Sequence, residues 1–92
     1  MGFDLGIIVN TIGVHNFISK SVDNYEYVMR CFERYINCDW GEICDEDKLA
    51  NEEALINEDR ILASYEEKDM PKIWIITEWD RSSTTILFPS EY

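Results

Sequence analysis

Residues 72–92 read KIWIITEWDRSSTTILFPSEY. Ile73, Ile75 and Trp79 fall on one side of an extended chain and Trp74 and Ile76 on the other, so residues 72–79 read as a strand. Residues 80–83 are turn chemistry, and residues 84–88 are a β-branched run closed by Pro89. Upstream, residues 60–66 alternate Ile61, Ala63 and Tyr65 against Leu62 and Ser64, and Lys68-Asp69-Met70-Pro71 marks another turn. Three strands joined by two short turns predict an antiparallel meander, because parallel neighbours need long crossovers.

The first two thirds carry a different pattern. Leu5, Ile7 and Val9 alternate within a strand over 3–9, and Thr11 is placed to cap a short helix over 13–20. Tyr25, Val28, Met29, Phe32, Tyr35 and Ile36 recur at helical steps, giving an amphipathic helix over about 24–37. Asp23 and Glu26 read as its capping box, and Gly41 as the left-handed residue after it. Residues 45–57 form a weaker helix with Leu49, Leu55 and Ile56 as its apolar stripe, while Asp45, Glu46 and Asp47 suit the positive end of its dipole. The expected fold is one two-layer α+β domain over 1–92. An antiparallel sheet of about four strands, the N-terminal one included, carries two to three helices on one face.

Composition narrows the function classes. The chain has 92 residues and a formal charge of −11 from eight bases and nineteen acids, which disfavours direct nucleic-acid binding. The apolar run 5–9 is too short for a membrane span. Three cysteines, an odd count, point to reduced thiols and a cytoplasmic setting. Residues 39–59 concentrate the charge. Asp39, Glu42, Asp45, Glu46, Asp47, Glu52, Glu53, Glu58 and Asp59 face Lys48 alone, so −8 of the −11 lies there. Such a segment either solvates a helix face or steers the protein toward a basic surface, carboxylates standing where a phosphate row would.

Reactive constellations are weak. His15, Cys31, Cys38 and Cys44 lack the close CxxC spacing of a zinc knuckle. Residues 39–47 do not carry oxygen ligands at the alternate positions of a calcium loop, which leaves only a loose magnesium site with paired carboxylates. Glu78, Asp80 and Arg81 in the second hairpin turn suggest an acid–base pair with a cation, yet Asp80 more simply bonds turn backbone and Arg81 a carboxylate across the strands. His15 is the single histidine, and no GxSxG elbow or glycine-rich phosphate loop occurs. No cofactor is expected. Trp74 and Trp79, predicted on opposite strand faces, leave one indole partly exposed, and an exposed tryptophan is a favoured interface anchor.

Three stretches resemble a family of short bacterial proteins without an established activity, carried on plasmids, prophages and conjugative elements. They are residues 5–9 with the following turn, Asp39-Trp40-Gly41 with Asn51-Glu52 and Leu55, and the run from Arg60-Ile61-Leu62 onward. The most specific is the closing KIWIITExDRSxTTILFPxEY-like signature, from which Trp79 departs where a small residue is expected. The resemblance implies no catalytic residue. It implies a mobile-element setting, in which small acidic proteins often inhibit CRISPR or restriction machinery, an inference by association. The expectation is a non-enzymatic acidic module that occupies a basic, nucleic-acid-binding protein surface through Asp39, Glu42, Asp45, Glu46, Asp47, Glu52, Glu53, Trp74, Trp79, Asp80 and Arg81. The alternatives are an accessory or regulatory interaction protein of the element and, third, a small metal-dependent enzyme. An edge strand leaves a homodimer open.

Overall fold

The computed structural model describes residues 3–92. Its elements in chain order are β1 (Ile7–Asn10), α1 (Ile12–Lys20), α2 (Val22–Ile36), α3 (Asp45–Asn57), β2 (Ile61–Tyr65), β3 (Ile73–Thr77) and β4 (Ser83–Leu87), followed by a 3-10 turn, Pro89–Glu91. The meander forms as its alternation requires, with Ala63, Ile75 and Ile86 in register across β2, β3 and β4. Sheet order is β1-β4-β3-β2.

The purely antiparallel expectation needs correcting, because β1 pairs with β4 in parallel and the sheet is mixed. No tight turn dictates the direction of β1. Three helices and two strands separate it from β4 in sequence, long enough for a crossover. The first strand is also shorter than predicted. Gly6 adopts φ +64 and donates its N–H to Asp4 Oδ1 at 3.1 Å, a local turn that delays the extended run to Ile7. Phe3 and Leu5 pack against the core instead.

Capping differs in the same local way. Ser21, not Asp23, caps α2 by accepting from the Asn24 N–H at 3.1 Å. Its hydroxyl sits in extended backbone, where a side-chain oxygen can reach the free amides of the first turn. Cys38, at φ 61, takes the left-handed position after α2 that was expected of Gly41. There the Asp39 N–H bonds the Arg34 carbonyl at 2.9 Å.

The helices cover one face of the sheet. Val14 from α1, Tyr27, Val28, Cys31 and Tyr35 from α2, and Ala54 from α3 bury against Ile61, Ala63, Tyr65, Ile73, Ile75 and Ile86. On the opposite face Ile76 and Leu87 are buried, and Trp74 meets Tyr92 edge-on with ring centres 5.6 Å apart. Strand β3 ends at Thr77, so Trp79 lies in the following turn and not on the strand face opposite Trp74 as predicted.

Burial ranks the three thiols. Cys31 is buried, Cys38 half-buried and Cys44 exposed at the N-cap of α3. Loss of solvent pushes the Cys31 thiol up to about 11, which removes the reactive thiolate at neutral pH. Under iodoacetamide, mass spectrometry should find Cys44 alkylated about a hundredfold faster than Cys31, which reacts only on unfolding.

Candidate functional site

The outward side of α3 mixes charge with apolar surface. Asn51 and Ala54 point inward and are buried. Asp45, Glu46 and Glu53 are exposed, and so are Leu49 at 60% and Ile56 at 82%. The sequence places Leu49 and Ile56 in the buried stripe, and this is corrected: of that stripe only Leu55, half-buried, packs on the core. The helix instead rotates so that Asn51 faces β2. Its amide donates to the Leu62 carbonyl at 2.8 Å and accepts from the Leu62 N–H at 3.3 Å. A buried asparagine is a poor hydropathy signal, which is why periodicity alone misassigns this face.

Arg81 joins that helix to the β3–β4 turn. Its guanidinium donates to the carbonyls of Ala54 at 2.9 Å and Asp59 at 2.8 Å, and to those of Glu78 at 3.1 Å and Trp79 at 3.3 Å. These acceptors include the end of α3, where a cation also meets the negative pole of the dipole. Arg81 therefore pairs with backbone carbonyls and not with the carboxylate expected across the strands. The turn it secures exposes Trp79 at 63%. Asp80 Oδ1 accepts from the Ser82 N–H at 3.0 Å, as the turn reading expected. The Ser82 hydrogen bonds hold the Asp80 carboxyl below the usual range.

The remaining acidic residues segregate. Arg34 holds Asp39 through Nε and Nη2 at 2.8 and 3.2 Å and reaches Glu42 at 3.3 Å. The Arg34 hydrogen bond lowers the Asp39 pKa. Glu42 also accepts from the Glu66 N–H at 2.8 Å, and Glu52 accepts from the Trp40 indole at 2.7 Å. Asp47 lines a cleft of about 260 Å³ with Ala50, Asn51, Arg60 and Leu62, below the roughly 300–1,000 Å³ of small-molecule sites. Trp74 is half-buried on the far sheet face. The structure thus brings Asp45, Glu46 and Glu53 together on one helix with Trp79 and Asp80 at its end. Asp39, Glu42 and Glu52 serve internal contacts.

Among the described residues, no group of three His, Cys, Asp or Glu side chains is arranged to hold a metal ion. Among the same residues no helix is long and apolar enough to cross a membrane. No family model, curated protein or solved structure matches the chain.

Proposed function

We propose that this chain is a non-enzymatic binding module whose α3 outer face and Trp79 turn dock on a basic protein surface. The observation that carries the reading is the four-carbonyl clamp of Arg81, which ties the backbone of the turn bearing the exposed Trp79 to the end of an acidic helix at the cost of an internal cation. Carboxylates steer a basic partner and set register, while Leu49, Ile56 and Trp79 supply the desolvated contacts that carry most binding energy. From Glu46 to Glu53 the row is about 10 Å long. That is roughly three nucleotide steps of about 3.4 Å, a short imitation of a phosphate strand. A nucleic-acid-binding defence effector is the class of partner such a row suits. A cytoplasmic setting fits three unpaired thiols, since reducing compartments preserve them.

The test is affinity capture from bacterial lysate at low and high salt, followed by binding measurements with the protein recovered. The Glu46→Lys, Glu53→Lys, Trp79→Ala triple variant should bind about 10- to 100-fold more weakly. Trp74→Ala should bind like the wild type. Equal retention of the triple variant, or binding insensitive to salt, contradicts the reading.

A further inference from the structure

The two edges of the sheet are treated in opposite ways. Along β2 the outward backbone is occupied: Leu62 by the Asn51 amide, Ser64 by the Trp40 carbonyl and the Glu42 N–H, and Glu66 by the Glu42 carboxylate. Along β1 nothing comparable occurs among the described residues. Ile7 and Thr11 donate to Ser82 and Ile86 at 3.1 Å, so the odd peptide groups face β4 and those of Ile8 and Asn10 face out. All four residues of β1 are exposed, and its sequence, IIVN, carries no charge.

We infer that two copies of this chain associate through β1, pairing antiparallel about a two-fold axis at Val9 so that their sheets become one. The spacing of the outward groups is self-complementary. With the axis at Val9, Ile8 of each copy faces Asn10 of the other, and each such pair exchanges two main-chain hydrogen bonds. The axis also sets Val9 against Val9 and extends an apolar row from Ile7 of one copy to Ile7 of the other on the sheet face away from the helices. Charge selects the same occupant. A partner recognised by the acidic helix must be basic, and β1 offers such a partner nothing. A second copy needs an uncharged edge, and pairing there sends the two α3 helices to opposite ends. The two β2 strands then stand about 34 Å apart at ~4.8 Å per strand, several screening lengths at physiological salt. Natural proteins blunt exposed apolar edges with lysine, proline or a covering segment, and among the described residues β1 has none of these.

Sedimentation velocity on the full chain tests the inference. The mass should rise from 10.9 kDa toward twice that value between about 10 µM and about 1 mM, as a small edge interface would give. In the wild type the Ile8 and Asn10 amides should exchange about tenfold more slowly at the higher concentration. Val9→Lys sets two ammonium groups across the axis and Ile8→Pro deletes an outward N–H. Each should keep the native far-UV spectrum and stay at monomer mass. A wild type that remains monomeric throughout overturns the inference, as does dimerisation surviving both substitutions. The amide measurement needs no variant and decides the case should either substitution fail to fold.

Discussion

Gly41→Ala is expected to lower stability by about 3–5 kcal/mol, a large part of the ~5–15 kcal/mol available to a domain. Gly41 adopts φ +78 and lies buried against β2, where an added Cβ would overlap the Ser64 carbonyl oxygen and the Tyr65 ring. The backbone penalty alone is about 1 kcal/mol. The larger cost comes from moving the strand. Displacing residues 40–42 breaks the Glu42 N–H bond to the Ser64 carbonyl at 2.6 Å and the Ser64 N–H bond to Trp40 at 3.4 Å. It also pulls Asp39 from the Tyr65 hydroxyl, 2.7 Å away. Each lost bond is worth about 1 kcal/mol net. Thermal melting should show Tm falling by about 12–40 °C, given ~4–8 °C per kcal/mol for a domain of this size. Gly13→Ala is the control. The atoms nearest its Cβ would be the end of the Glu91 side chain, which can move, so its cost should be clearly smaller.

The same glycine shows where sequence reading succeeds and stops. Gly41 was recognisable as a left-handed position, but the reason assigned, helix termination, belongs to Cys38. What Gly41 permits is a backbone approach between a loop and a strand 23 positions away, visible only once both are placed. The strands of the meander were legible because alternation and turn residues are local signals. The direction of β1 was not, since no short turn constrains it. For the site, the density of acids in 39–59 was plain, yet which carboxylates face solvent depends on Arg34, Trp40 and Asn51. Arg34 and Trp40 reach Asp39, Glu42 and Glu52 from elements outside α3, and Asn51 fixes how that helix is rotated. Arg81 was found for its charge, while its partners are carbonyl groups, which every residue carries and no composition reveals. Glu91 escaped notice altogether. It accepts from the Thr11 hydroxyl at 2.6 Å and from the Gly13 N–H at 3.0 Å, tying the 3-10 turn to the start of α1.

Thr77→Val should cost about 2–4 kcal/mol although it is nearly isosteric, because it interrupts a chain of buried hydroxyls with a fixed direction. Thr84 donates to the Leu5 carbonyl at 2.7 Å, which commits its one proton. The 2.7 Å contact between Thr77 and Thr84 must therefore have Thr77 as donor. The 2.6 Å contact between Tyr35 and Thr77 must then have Tyr35 as donor. Burial raises the Tyr35 phenol well above its ordinary value, so that proton stays in place across the pH range of the fold. All three side chains are fully buried, and no buried side-chain nitrogen or oxygen among the described residues lacks a partner. Valine at 77 strands the Tyr35 donor and leaves Thr84 with an unfilled acceptor. Tyr35→Phe removes the first donor yet orphans none, so it should cost only about 1 kcal/mol. Thr84→Val should resemble Thr77→Val, since it strands the Thr77 proton and frees the carbonyl that holds the approach to β1. Urea melts of the three variants test this ordering. Equal losses would mean that the hydroxyls do not form a directed relay, and a Tyr35→Phe loss exceeding the Thr77→Val loss would reverse the assigned donors.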